Sequence, residues 1–319
     1  MGEIVLLADS DSNSWEFSKK IEDYIKQQNG EDIPLIPVSI IKFRNGEFYP
    51  QPMDNLRGKD VYFIHDSTKN PSQWWVELLL IKDAVLRASA GKLTFVLPNM
   101  LYSRQDRKDV SRTPISARAL ADSISPGLAR IITLDLHAEQ IQGFYPPTCP
   151  VDNLYSFPTA VEYVKQNISY DLENLVIVSP DMGGIKRASN FAKRLGTDNI
   201  AMISKQRSKP GEVGKMNLMG GNINDKDVLI IDDVIDSGGT LCEASRLLKE
   251  KGAKKAYCYG THGLFTEGTE KICNSFDRVM TSNTYPINHS GVEFVDVSSL
   301  FAEAIYRAHK GLSISELFR

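Results

Sequence analysis

The chain has 319 residues, with 42% hydrophobic and 24% charged residues and a formal net charge of −3. That composition excludes disorder, collagen and coiled coil as whole-chain readings, and the length points to two domains. There is no overall basic excess to draw in nucleic acid or an anionic membrane surface, so neither is expected as a partner. The four cysteines, Cys149, Cys242, Cys258 and Cys273, form no C-x-x-C pair, which suggests neither a zinc knuckle nor a disulfide framework. A reducing cytoplasm is the expected compartment.

Short apolar runs alternate with helical patterns along the chain. Strands are expected at Ile4–Ala8, Asp60–His65, Leu93–Pro98, Arg130–Leu134, Leu175–Ser179, Ile200–Ser204, Val228–Asp232, Lys255–Thr261 and Arg278–Thr281. The first run is too short for a signal peptide, and no stretch approaches the roughly 20 apolar residues of a membrane span. Helices are expected at Glu77–Arg87, Ile115–Ile124, Pro158–Asn167, Gly183–Leu195 and Leu241–Glu250, the last stopped by Gly252. Continuous apolar strands alternating with helices argue an α/β fold of mostly parallel sheet covered on both faces. The pattern occurs about twice, with a seam near Asn153–Pro158. We expect an N-terminal α/β domain over residues 1–155, a C-terminal one over 156–299, and a tail over 300–319 that is part helix and packs on the N-terminal domain.

The strongest motif runs from Val228 to Thr240. A buried strand carries Asp232 and Asp233 to its carboxyl end, and Asp236-Ser237-Gly238-Gly239-Thr240 then turns into a helix. Ligands of open α/β sheets bind at the carboxyl ends of strands. Gly238 and Gly239 let backbone N–H groups approach an anion, the helix N-terminus adds its dipole, and the hydroxyls of Ser237 and Thr240 can donate to phosphate. Asp232 and Asp233 suit vicinal sugar hydroxyls or a hydrated Mg²⁺. An ordinary strand–turn–helix would not need all of these together.

Other segments supply cations and further carboxylates. Tyr102–Asp109 follows a strand and holds Arg104, Gln105, Arg107 and Lys108, a set able to grip polyphosphate, although a solvated charge run would look similar. No P-loop or kinase glycine loop is present. Asp135-Leu136-His137 ends a strand, and alternation along an extended segment would put both side chains on one face. Asp181 precedes Gly183-Gly184 at another strand end. Ser204–Lys215 is basic and rich in glycine and proline, as a mobile loop would be. Phe43-Arg44-Asn45-Gly46-Glu47 looks like a turn and alone says nothing more.

The Asp232–Thr240 motif resembles the phosphoribosyl-diphosphate-binding loop of type I phosphoribosyltransferases and of ribose-phosphate diphosphokinases. The whole series, with Pro114-Ile115-Ser116-Ala117, Val151-Asp152-Asn153-Leu154 and Thr261-His262-Gly263, stands in the order found in the ribose-phosphate diphosphokinase family, from Phe43 through Ser315. The resemblance implies two similar lobes of phosphoribosyltransferase-like fold, and transfer of the diphosphoryl group of ATP to O1 of ribose 5-phosphate, with Mg²⁺. It implies that Arg104 and Gln105 contact ATP, and that Phe43, Asn45, Gly46 and Glu47 from a neighbouring subunit close the adenine pocket. His137 and Asp181 would hold the metal with Asp135 close by. Lys205 and Arg207 would cover the reacting phosphates, Arg207 also reaching the sugar phosphate. Asp232, Asp233, Asp236, Ser237, Gly238, Gly239 and Thr240 would bind ribose 5-phosphate. A homo-oligomer built of dimers, commonly a hexamer, is implied. So is a second anion site at subunit contacts using Arg57, Ser89, Arg112, Ser313 and Ser315. The chain departs from the pattern at Asn45, where Asp is commoner, at Phe144–Asp152, which looks about two residues longer and lacks an acidic residue near Pro146, and at Asn70–Trp75. A phosphoribosyltransferase consuming the diphosphate, or a regulatory homologue without turnover, are the rival readings. The Arg104–Lys108 and Asp135–His137 segments count against the first, and the presence of Lys205 and Arg207 against the second.

Overall fold

A computed structural model describes residues 2–168, 171–206 and 215–318. The chain divides into two compact units, the first comprising Met1–Tyr155, Thr284–Ile287 and Val297–Arg319, the second Ser156–Asn283 and Asn288–Asp296.

The first unit contains β1 (Ile4–Asp9), α1 (Trp15–Asn29), β2 (Leu35–Lys42), β3 (Phe48–Pro52), β4 (Asp60–Ile64), α2 (Pro71–Arg87), β5 (Lys92–Leu97), α3 (Ser116–Ile124), β6 (Arg130–Leu134) and β7 (Val151–Leu154). Its sheet has the order β3-β2-β1-β4-β5-β6-β7, with only the β2–β3 edge hairpin antiparallel. Every residue of β1 is buried, and its alternate residues feed opposite layers. Val5 and Leu7 pack with Trp74, Leu78, Ile81 and Leu120 of α2 and α3. Leu6 and Ala8 pack with Phe17 and Ile21 of α1 and with Phe301 and Ile305. Period-2 alternation inside an unbroken apolar run is what two covered faces require.

The second unit repeats this plan. It contains α4 (Phe157–Asn167), β8 (Leu175–Ser179), α5 (Ile185–Leu195), β9 (Ile200–Gln206), β10 (Lys215–Gly220), β11 (Asp227–Ile235), α6 (Gly239–Glu250), β12 (Lys255–Gly263), α7 (Glu270–Ser275), β13 (Arg278–Ser282) and β14 (Val292–Val295). Its order is β10-β9-β8-β11-β12-β13-β14, again with one antiparallel edge pair. Position for position the two sheets have one topology. The final helix α8 (Ser298–Lys310) belongs to the first unit, against α1.

Several elements escaped the sequence reading. The edge strands β3 and β14 are short, β3 also carrying Pro50 and Pro52, and the apolar pattern of β10 is interrupted by Asn217. β2, β7 and the six-residue α7 were also not expected. Helix α1 buries only Phe17, Ser18, Ile21 and Ile25, too narrow a stripe to stand out in a polar segment. The Ser204–Lys215 stretch begins in β9 and ends in β10, which pair antiparallel, so its flanks are strand rather than loop. β11 runs to Ile235, three residues beyond the expected end, so Asp232 and Asp233 lie within the strand. Among the described residues, no helix is long and apolar enough to cross a membrane.

Candidate active site

In each sheet the strand order reverses beside the first strand, between β1 and β4 in one unit and between β8 and β11 in the other. The carboxyl edge at such a switch point is where open α/β sheets bind ligands. In the second unit the sequence-expected groups gather there. Asp181 follows β8, and its Oδ1 accepts from Gly184 N–H at 2.8 Å, while Ser179 Oγ donates to its carbonyl at 2.7 Å. Asp181 is therefore part of the turn that opens α5, with its side chain exposed. Arg187, on α5, reaches across to β11. Its guanidinium lies 3.1 Å from Asp233 Oδ1 and 3.8 Å from Asp232 Oδ1. Burial first, and then the adjacent Asp233 carboxylate, push the Asp232 carboxyl well above its usual range, against the pull of Arg187.

The loop after β11 is built for close approach. Gly238 takes φ 74°, the left-handed region, as the N-cap of α6. Ile272 of α7 packs under it, with Cδ1 3.3 Å from where a Cβ would lie. At Gly239 a Cβ would meet only Ser237 Oγ at 3.8 Å and Lys271 Nζ at 4.0 Å, so the backbone at the head of α6 is open. Asp236 is held by Thr266, whose Oγ1 donates to its Oδ1 at 2.6 Å. Thr240 is exposed in the first turn of α6. Lys205 lies in β9, and Arg207 lies outside the described residues.

In the first unit, the loop after β5 and the loop after β6 meet through Gln140 Nε2, which donates to Asp106 Oδ2 at 2.7 Å. Arg104 and Gln105 lie on the former. Gln105 is tied to the head of α3, because its Oε1 accepts from Ser116 Oγ at 2.7 Å and its carbonyl from Ala117 N–H at 3.2 Å. Asp135 and His137 lie on the latter, but not on one face of a strand. β6 ends at Leu134, and Asp135 takes φ 41°, so the expected alternation does not apply. Asp135 is buried on this turn and His137 is exposed. Asp135 and His137 thus belong to the first unit and Asp181 to the second. Among the described residues no group of three or more His, Cys, Asp or Glu is arranged to hold a metal ion.

The Phe43–Glu47 turn joins β2 to β3, with Gly46 at φ 92° and Asn45 Oδ1 accepting from Glu47 N–H at 3.1 Å. In sheet order β2 and β5 are separated by β1 and β4, roughly 14 Å at ~4.8 Å per strand. Of the five anion-site residues, Arg57 and Ser89 come together at the amino edge of this sheet, where Gly58 N–H donates to Ser89 O at 2.9 Å. Arg112, φ 67°, lies on the loop between β5 and α3 at the opposite edge. Ser313 and Ser315 place their Oγ atoms 3.0 Å apart, and Arg307 donates to the Ser313 carbonyl at 2.9 Å.

The first unit's switch point holds groups that sequence reasoning did not single out. Lys69 Nζ sits 2.6 Å from Asp9 Oδ2 and 2.5 Å from Glu77 Oε1, and His65 is buried beside them. Burial and the nearby Lys69 charge drive the His65 imidazole down to about 3, so it is neutral there. A salt-bridged cluster thus occupies the end of β1 and β4. Arg104 and Gln105, the expected ATP contacts, follow the next strand over, β5, and Asp135 and His137 follow β6. In the second unit Arg187 was legible only as a cation on the helix that the Asp181–Gly184 turn opens, not as the bridge to the two aspartates, and Lys271 lies in no motif.

A doubly wound sheet whose switch point presents paired carboxylates, then an open glycine cradle at a helix head, defines a sugar-phosphate-binding domain of the phosphoribosyltransferase type. Residues 153–294 match the phosphoribosyl transferase domain model, and residues 6–126 match the model described as the N-terminal domain of ribose phosphate pyrophosphokinase. The chain is 37% identical over 309 residues to ribose-phosphate pyrophosphokinase of Cereibacter sphaeroides, covering 94% of this chain and 91% of that one. It is 40% identical over 295 residues to the protein of that name from Rhizobium meliloti, covering 90% and 93%. A crystal structure of phosphoribosylpyrophosphate synthetase from Mycobacterium smegmatis superposes with a TM-score of 0.85 at 29% identity, over 97% of this chain and 99% of that one. The chain belongs to the ribose-phosphate pyrophosphokinase family, whose name is a synonym of ribose-phosphate diphosphokinase.

Proposed function

We propose that this protein is a ribose-phosphate diphosphokinase that transfers the diphosphoryl group of ATP to O1 of ribose 5-phosphate, releasing AMP and phosphoribosyl diphosphate for nucleotide synthesis in the cytoplasm. The observation that carries the proposal is the open backbone at Gly239, at the head of α6, one turn beyond the paired carboxylates of β11. N–H groups at that helix head donate to the 5-phosphate, with Ser237 and Thr240 hydroxyls as further donors. Asp232, Asp233 and Asp236 accept from the ribose hydroxyls. Arg104 and Gln105 hold the triphosphate.

The O1 hydroxyl attacks the β-phosphorus in line. The bond from that phosphorus to the oxygen bridging it to the α-phosphorus breaks, AMP keeps that oxygen, and the hydroxyl proton is lost. There is little covalent work for the chain, so positioning and charge neutralisation account for most of the acceleration. Lys205 and Arg207 donate to the transferred group, where negative charge accumulates. Hard Mg²⁺ takes oxygen ligands and keeps waters and substrate phosphates. His137 and Asp181 would hold it, with the carboxylate of Asp135 close by. When bound, Mg²⁺ neutralises and orients the polyphosphate.

Phe43, Asn45, Gly46 and Glu47 close the adenine pocket of a neighbouring copy, which makes the active form at least a dimer, and the family resemblance extends that to an oligomer of dimers. The three strand spacings between β2 and β5 support this, because one turn cannot easily serve Arg104 of its own sheet. A regulatory anion site drawing on Arg57, Ser89, Arg112, Ser313 and Ser315 belongs to the same proposal. The opposite-edge positions of Arg57 and Arg112 favour assembling it from more than one copy. Incubation with ATP, Mg²⁺ and ribose 5-phosphate, assayed for AMP, tests the activity. AMP that accumulates only with the sugar phosphate supports it. Turnover that instead needs phosphoribosyl diphosphate and a base would identify a phosphoribosyltransferase, and no turnover a regulatory homologue.

A further inference from the structure

We propose that Lys271, on α7, supplies the cation that holds the sugar 5-phosphate at the head of α6. This rests on the reading of Asp236–Thr240 as the sugar-phosphate loop. The cradle is conspicuously acidic: Asp232, Asp233 and Asp236 all lie on β11 or the turn that follows it. Its neighbouring guanidinium, Arg187, is engaged at 3.1 Å by Asp233 and lies 3.8 Å from Asp232. A phosphomonoester brings a charge of about −1.5 to −2 at pH 7, whereas a helix N-terminus offers only about +0.5. With Arg187 committed to Asp232 and Asp233, backbone donors alone would offset the charge of the phosphate only in part.

Lys271 is placed to offset the rest. Its Nζ lies 4.0 Å from the position of a Cβ on Gly239, over the same open backbone that receives the phosphate. The helix that carries it is anchored. Ile272 seats against Gly238, Ser245 Oγ donates to the Ser275 carbonyl at 2.6 Å, and Lys249 Nζ donates to the same carbonyl at 2.8 Å. The side chain itself is exposed, so its ammonium can turn three donors toward an incoming anion at little cost in desolvation. Lys271 stands outside the loop in sequence and reaches it only because α7 packs on α6.

The experiment compares Lys271→Ala and Lys271→Arg with the intact protein by steady-state kinetics and by calorimetric titration with ribose 5-phosphate and with ATP. Loss of one charge-assisted contact should raise KM and Kd for ribose 5-phosphate about 10- to 100-fold in Lys271→Ala. ATP affinity and the melting temperature should hold, and kcat should move little. Lys271→Arg should recover most of the affinity, and the salt dependence of sugar-phosphate binding should weaken in Lys271→Ala. Sugar-phosphate KM within twofold of the intact protein would overturn the assignment. So would a fall in kcat at unchanged KM, or a loss that Arg does not restore. Should the intact protein bind no ribose 5-phosphate, the reading of the loop itself falls, and this inference with it; that result is distinct from an intact protein that binds and a variant that binds equally well.

Discussion

Gly239→Val separates the fold from the ligand at one position. In the free protein the added Cβ meets only Ser237 Oγ at 3.8 Å and Lys271 Nζ at 4.0 Å, ordinary contact distances, and Gly239 is not among the glycines with positive φ. Replacing glycine in the first turn of a helix is neutral or favourable by a few tenths of a kcal/mol on propensity alone. The melting temperature should therefore move by about 2 °C or less. A bound phosphate is different. Its oxygens must come within about 2.9 Å of the N–H groups at the head of α6, and the two methyls of valine intrude on that space. Losing two charge-assisted hydrogen bonds at about 1.5–3 kcal/mol each removes roughly 3–6 kcal/mol, a weakening of at least about 100-fold. Calorimetric titration with ribose 5-phosphate and ATP, alongside a thermal melt, reads all three quantities. Gly238→Val is the contrast. Its left-handed φ of 74° and the 3.3 Å approach of Ile272 make it a folding defect, at a cost of about 1–2 kcal/mol from the backbone alone. Sugar-phosphate affinity in Gly239→Val within about threefold of the intact protein, with an unchanged melt, would refute the cradle.

Asp232→Asn should raise the melting temperature near neutral pH while weakening ribose 5-phosphate binding. The carboxyl's folded-state pKa is raised by burial and by Asp233, so its ionised form opposes folding above that pKa. The gain should therefore be present at neutral pH and fade as pH falls through the raised pKa toward the ordinary carboxylate value; a gain that persists at low pH would remove this explanation. Inactive Glu47→Ala and inactive Lys205→Ala proteins, unfolded together and refolded, should regain part of the activity, since some shared sites receive both intact halves. Verified mixed oligomers no more active than the parents would sink the shared-site model.

Much of this protein is legible along the chain because local chemistry is contiguous. Ile4–Ala8 and Val228–Asp232 read as strands from their apolar runs, and both are. Gly238-Gly239-Thr240 reads as a turn into a helix because only glycine takes φ 74° without strain. The membership of the chain in its family was likewise readable from motifs standing in a set order. Packing decided the rest. The edge strands β3, β10 and β14 lack the apolar signature because an edge buries less, and only their partners show that they are strands. Asp135 leaves the strand at φ 41°, which no alternation rule could foresee, since neighbouring loops set that turn. Arg187 meets Asp233 from 46 residues away, and Lys271 meets Gly239 only through the seating of α7 on α6. Residue type and spacing determine what each segment can do. Which distant charges share a site depends on strand order and helix packing, because those alone bring them within a few ångströms.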